Sequence, residues 1–389
     1  MVTLTSADNA LKSFYLGVVA DQLNTAVNPL LARIQQTTSD VWGKEVRKLA
    51  PFGINGGIGA GSEDGELPMA ASNNYAQFVL TLKNLYGTIE LSDKSIRASM
   101  DNSGAFVNLL EAEMEGLIRA SKFNFGRMLY GDGSGKLCVA ANINGNSIGV
   151  DSVRNLIEGM VVDIVGRSSK TPVVTSRRIL NVDRNNCVIT IDGAPISTGV
   201  VTSGDIITVQ GSYNNELTGL DAIFGSSDTL YGLTRSANKW LTPYKKTDVN
   251  ITDISIQRAI DHMEDVAGST ADFIVCSSGV KRAYQDYLVT NRTNIDVMNL
   301  QGGYKAISYN GIPIVSDRFV SVGNMYILNT KDFHLHQLGD WRWLEGDDGR
   351  IIKQVANRPV YTATLVKYAE LICDRPIGQA LITGITEKN

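Results

Sequence analysis

Between Lys44 and Tyr130 the sequence places two long, thin elements back to back. Val46, Lys48 and Ala50 open an extended arm. The stretch FGINGGIGAGSEDGELP follows as a tip, with Gly53, Gly56, Gly57, Gly59, Gly61 and Gly65 supplying backbone freedom and little to pack. YAQFVLTLKNLYGTIELSD then returns. Tyr75, Gln77, Val79, Thr81 and Lys83 share one face, and Ala76, Phe78, Leu80 and Leu82 the other. As one strand it exceeds the usual range of about 3–10 residues, and an isolated two-stranded ribbon is marginal in water, so its apolar face calls for an outside partner. A helix from Asn102 to Tyr130 comes next, ~43 Å long at ~1.5 Å per residue. Phe106, Leu110, Met114, Leu117, Phe125 and Leu129 form its apolar stripe, interrupted at Ser121. A chain so drawn out is expected to find its missing contacts in copies of itself.

The flanks are read around that stretch. Residues Ser6 to Gln36 predict an amphipathic helix through Leu11, Tyr15, Val18, Val19, Leu23 and Val27, with a break at Pro29. After Gly131, Gly133 and Gly135, residues Cys138 to Phe224 predict a β-rich part. Its strands are Val161–Val165, Arg178–Val182, Val188–Ile191 and Ile206–Val209, with a hairpin at Asp183–Asn186, forming a small barrel or sandwich inserted in a larger domain. Helices are predicted at Asp253–Ala267 and Gly279–Val289. Strands are predicted at Asp272–Cys276, Gly311–Val315 and Met325–Leu328. Strands dominate again from Phe333, with a hairpin turn at Asp347–Gly349 between Trp343 and Ile351.

Composition limits the function. With 389 residues, a net charge of −4 and no basic domain, the chain does not read as a dedicated nucleic-acid binder. It has no apolar run of membrane-spanning length and no signal peptide at its start, which predicts synthesis in a cytoplasm without export by that route. Cys138, Cys187, Cys276 and Cys373 show no metal or redox spacing and read as reduced core or strand residues. Chemistry is sparse. The glycine tip lacks a P-loop lysine and hydroxyl residue, and GDGSGK after the long helix reads as a turn. Asp332, His334 and His336 alternate, so all three could face one way on a strand and hold a divalent metal; polar strand residues are the plainer reading. Glu63, Asp64 and Glu66 make an acidic knob without EF-hand spacing. No catalytic signature, cofactor motif or metal site stands out.

The order of these parts resembles the major capsid proteins of tailed double-stranded DNA phages, the Hong-Kong-97-type capsid fold. The stretches that carry the resemblance are DNALKSFYLGVVADQLNTAVNPLLARI, LKNLYGTIELSDKSIRAS, the long helix with LYGDGSG after it, YNGIPIVSD and AELICDRPIGQALITG, the last with Glu370, Arg375, Pro376 and Ala380. The resemblance implies an α+β fold: an N-terminal arm (1–43), an extended β-hairpin loop (44–98), a spine helix opening the peripheral domain (99–136), an inserted β-rich domain (137–232), an axial domain (233–331), and closing peripheral strands with a return to the axial domain (332–389). It also implies a non-enzymatic subunit of pentamers and hexamers, building an icosahedral shell around phage DNA without sequence-specific contact. Its partners would be copies of itself, a portal protein, a scaffolding protein and, outside, a decoration protein, with no membrane. Assembly would take place in the host cytoplasm and the product would be the virion. Because Met1 stands only a few dozen residues before the loop, the scaffold is expected to be a separate chain. Because residues 49–82 contain no lysine, the shell is expected to be non-covalent. The expected inter-subunit contacts are Tyr15, Leu23, Gly57, Gly59, Glu63, Asp64, Glu66, Phe78, Leu80 and Leu82. An encapsulin-like nanocompartment is the nearest alternative, and a metal-dependent β-rich hydrolase a more distant one.

Overall fold

The computed structural model describes residues 28–94, 103–291, 297–299, 305–346 and 349–388. The N-terminal helix predicted from Ser6, with Tyr15 and Leu23, lies almost wholly outside them. Its predicted end is corrected: residues 29–33 are turns after Asn28, whose Oδ1 accepts from Leu30 N at 2.8 Å, and Gln35–Thr37 is a strand. The chain divides into two compact units.

The first unit holds residues 83–225 and 340–368 with the start of the chain. Its helix spans Ser103–Met128, slightly shorter than predicted, and buries Met114, Ile118, Phe125 and Met128. The helix packs on the strand Lys83–Ser92, whose Leu85, Ile89 and Leu91 alternate inward. Gly87 makes the close approach possible: a Cβ there would stand 2.8 Å from Leu117 Cδ1. That strand pairs with the long strand Val360–Cys373, of which residues 360–368 belong to this unit. Lys136 to Val209 close into a six-stranded barrel, so the inserted β part is a barrel and not a sandwich. The strands Val161–Val165, Val188–Ile191 and Ile206–Val209 fall where their apolar runs place them, and Asp183 pairs with Val188 across the predicted hairpin. Ile148, Val162, Ile164, Ile179, Ile189 and Ile207 fill the barrel. Below it a buried ion pair joins Arg127 Nη1 to Glu216 Oε2 at 2.8 Å. Of the hairpin predicted between Trp343 and Ile351 the turn is closed, Gly346 N donating to Arg350 O at 2.8 Å, but the strands on either side of it do not pair with each other. Arg342–Trp343 and Lys353–Gln354 each pair with Val360–Cys373, and Asp347 and Asp348 lie outside the described residues.

The second unit holds residues 33–82, 226–339 and 369–389. Its centre is a mixed seven-stranded sheet in the order Tyr244–Thr247, Ala380–Thr383, Met325–Leu328, Phe273–Cys276, Ile312–Ser316, Lys305–Tyr309, Val297–Asn299. The helix Asp253–Ala267 starts at Thr252, whose side chain accepts from Ser255 N, and stops at Gly268 in the left-handed conformation (φ 58°). It sets Ile256, Ala259, Ile260 and Met263 against Ile274, Ile327 and Ile382 of the sheet, beside the helix Ser278–Thr290. A second sheet in this unit places Phe333–Gln337 between Gln35–Thr37, in parallel, and the strand end 369–373, antiparallel. The third holds the hairpin. No helix among the described residues is long and apolar enough to cross a membrane. Cys138, Cys276 and Cys373 are buried strand residues; Cys187 is half-buried in a turn, with φ 53°. Burial pushes the Cys276 thiol up to about 12.

Candidate assembly surface

The hairpin pairs Glu45–Phe52 with Asn74–Thr81 in one unbroken antiparallel register, and Val41–Trp42 adds a short strand at the outer edge. The return arm is two strands rather than one: it ends at Thr81, and Lys83–Ser92 starts afresh in the first unit. Each is of ordinary length, so the argument from excess strand length is corrected.

Period-two alternation gives this ribbon two faces. On the inner face Val46 opposes Leu80, Lys48 opposes Phe78, Ala50 opposes Ala76 and Phe52 opposes Asn74. This face needs no outside partner, contrary to expectation. Phe78 is completely buried against Tyr231 and Trp240, with ring centroids 5.0 and 5.9 Å away, and Phe52 stacks on Trp240 at 5.1 Å. Val79 N donates to Tyr231 O at 3.2 Å, which ties the return strand to the same segment. Phe78 and Leu82 are therefore buried within the chain and Leu80 is half-buried; they hold the hairpin's own base rather than a free contact face.

Polar groups fasten the same base. Lys48 Nζ donates to Asp374 Oδ2 at 2.7 Å, and His334 Nδ1 lies 3.0 Å from that oxygen. Burial disfavours the Asp374 carboxylate, but His334 and Lys48 outweigh it and hold its pKa below the usual range. His336 Nδ1 is 3.0 Å from Ser39 O; burial keeps this imidazole below its ordinary pKa. Asp332, raised mainly by burial, accepts from Gln379 Nε2 at 3.0 Å. Asp332, His334 and His336 thus each serve a different partner. Among the described residues no three metal-ligating side chains converge on one point.

The outer face is the free one. Arg47 opposes Val79, Leu49 opposes Gln77 and Pro51 opposes Tyr75, all seen by solvent. Leu49 is 61% exposed, Tyr75 55%, Val79 40% and Trp42, on the added strand, 70%. At the tip Ile54, Ile58, Leu67 and Met69 are exposed too, beside Gly59, Glu63, Asp64 and Glu66, while Gly57 is half-buried. Eight large apolar side chains are thus left in solvent within one short segment. Such concentration marks an interaction surface. Reasoning from sequence named Gly57, Gly59, Glu63, Asp64 and Glu66 at the tip but missed its apolar side chains Ile54, Ile58, Leu67 and Met69, and on the ribbon Trp42, Leu49, Tyr75 and Val79. For Leu49, Tyr75 and Val79 the signal was present as outward positions of the same alternation.

No family model and no curated protein matches this sequence. By structure the chain is similar to the capsid asymmetric unit of cyanophage A-1(L), at 15% identity and a TM-score of 0.54, covering 93% of this chain and 94% of that one. It is also similar to the capsid of Myoviridae phage XM1, at 9% identity, a TM-score of 0.46 and 92% of each chain. A third likeness is to the SrpI encapsulin of Synechococcus elongatus, at 10% identity, a TM-score of 0.42 and 96% and 97% coverage. A hairpin, a long helix, an inserted barrel and a mixed sheet, in that order and over nearly the whole length, make this chain one with the Hong-Kong-97-type capsid fold.

Proposed function

We propose that the chain is the major capsid subunit of a tailed phage, self-assembling into the pentamers and hexamers of an icosahedral shell that encloses double-stranded DNA. The observation that carries the reading is the hairpin's outer face: a sheet surface with Leu49, Tyr75 and Val79 in solvent while the reverse face is packed on its own chain. Covering it stabilises assembly, since each Leu or Val side chain removed from water contributes roughly 1.5–3 kcal/mol before the costs of association. Repetition does the rest, because losing one subunit from a closed shell breaks many contacts together. The net charge of −4 suits a wall that encloses DNA without gripping its phosphates. The six parts drawn from the sequence, from the arm at 1–43 to the closing strands at 332–389, serve as the working division of the subunit. Its partners are sister subunits, a separate scaffolding protein, a portal protein and the packaged DNA. It is built in the host cytoplasm, resides in the virion and performs no catalysis.

The test is co-expression with the neighbouring scaffold gene product, followed by electron microscopy. Closed particles are expected from the wild type, and only unassembled, folded subunits from Leu49→Asp/Val79→Asp. A chain that stays monomeric under all conditions, or whose assembly ignores the double substitution, overturns the reading. Particles loaded with enzyme cargo rather than DNA would instead identify a nanocompartment.

A further inference from the structure

The barrel is closed by hydrogen bonds, but not along its whole height. The strand Pro172–Asp183 outruns its neighbour Val188–Ile191: the last paired residues are Ile191 and Ile179. Beyond them the chain turns away through Asp192–Val200. An open groove of about 520 Å³ is left between Val173–Arg177 and residues 192–200. Val174 and Ile196 are its half-buried floor; Val173 and Val200, 37% and 43% exposed, are its rims. Among the described residues no backbone hydrogen bond joins Val173–Thr175 to 195–200, so this stretch of strand edge is unpaired.

The groove is kept open by a specific local arrangement. Arg177 Nη1 donates to Asp192 O at 2.9 Å and Nη2 to Ala194 O at 3.3 Å, bracing the departing loop. Gly193 (φ 82°) leaves the space that this guanidinium fills, since a Cβ there would fall 1.3 Å from Arg177 Nη1. The Asp192 carboxylate is turned inward, accepting from Arg178 N at 2.8 Å. Lys170 in the preceding turn and Arg178 are exposed. Arg177 on the groove wall and Lys170, exposed in the turn that leads into the strand, are the cations at this end, while the carboxylates of Asp192 and Asp163 are each engaged by backbone N–H groups.

The chain itself carries a segment of complementary chemistry. At the hairpin tip Gly65 N donates to Ser62 O at 3.1 Å, forming a turn that presents Glu63 and Asp64; residues 66–70 then run without regular structure, exposed throughout. Leu67 and Met69, 91% and 89% exposed, are two residues apart and so fall on one side when extended. Pro68 between them has no N–H, which suits a strand paired along one edge only. We propose that the barrel groove receives Glu66–Ala70 of a second copy. The segment lies along the free edge at Val173–Thr175, with Leu67 and Met69 over Val174 and Ile196 and the acidic turn toward Lys170. This strand addition rests on the shell reading and names one contact within it.

Two measurements test it. The purified full-length subunit is titrated with a labelled synthetic peptide of residues 60–71. Saturable binding is expected, weakening as salt rises and reduced roughly tenfold or more by Val200→Asp or Lys170→Glu, each of which sets a negative charge against the acidic turn. Separately, particles of Leu67→Cys/Val200→Cys are oxidised. Disulfide-linked dimers and larger species are expected on a non-reducing gel, and neither single variant should give them. Particles that form without this cross-link, or a peptide that ignores both groove substitutions, overturn the proposal while leaving the shell reading intact. If the wild type forms no particles either, the shell reading fails, and the peptide titration still decides whether the groove takes this segment.

Discussion

Phe78 and Tyr75 lie on the same strand, three residues and one face apart, and substituting each with alanine separates folding from assembly. Phe78 is completely buried, with ring contacts at 5.0 and 5.9 Å. Truncating such a ring loses its transfer energy and its aromatic pairs and leaves a cavity, for a total of about 3–5 kcal/mol. Tyr75 is 55% exposed on the outer face, and its truncation costs the isolated subunit under ~0.5 kcal/mol. With the chain divided into two units, the clasp is best read locally, by hydrogen exchange at the Val79 amide that donates to Tyr231 O. At ~1.4 kcal/mol per tenfold, Phe78→Ala speeds exchange there by about two to three and a half orders of magnitude. Tyr75→Ala changes it by less than about threefold, yet slows particle formation. Equal exchange in the two variants would refute the assignment of the faces, as would faster exchange in Tyr75→Ala than in Phe78→Ala.

Other expectations follow from the same packing. Arg127→Met strands the Glu216 carboxylate in a buried site and lowers the stability of the first unit by about 3–5 kcal/mol in urea unfolding, while Arg127→Met/Glu216→Leu regains most of it. His336 titrates below its usual 6.5, mainly through burial, so the unfolded chain takes up this proton first. The resulting stability is present above about pH 6.5 and lost as pH falls from there toward the folded value; thermal scans should show that slope flattened in His336→Gln. Asp374 acts lower on the scale: held below 3.8 by His334 and Lys48 against its burial, it supports the hairpin base above that pH and lets go as acid protonates it. With no lysine in 49–82, mature particles should run as a single band at 42.1 kDa on a denaturing gel, and a ladder above it would refute a non-covalent shell.

Much of this protein is decided by spacing along the chain. The apolar steps of Ile256, Ala259, Ile260 and Met263 make one helix face wherever the segment is placed. Short apolar runs bounded by turns gave three of the six barrel strands almost to the residue, whereas Arg178–Val182 catches only the end of Pro172–Asp183, and Lys136–Asn144 and Ser147–Val150 were not read as strands. Alternation in 74–81 likewise makes a two-faced ribbon without help from the rest of the chain. Local chemistry cannot say which face is already covered. Tyr231 and Trp240 lie far along the sequence, and only their return to Phe78 and Phe52 turns the inner face into a private core and leaves Leu49, Tyr75 and Val79 outside. The same holds for Asp332, His334 and His336. Their even spacing suggested one site, but Gln379, Asp374 and Ser39 reach them from three other segments and divide them. The open edge at Val173 depends on where a neighbouring strand stops, and strand pairing is a non-local event that no single run of residues encodes. Periodicity is a property of neighbours in sequence. Burial is a property of neighbours in space, and burial decides which face of the hairpin is left in solvent.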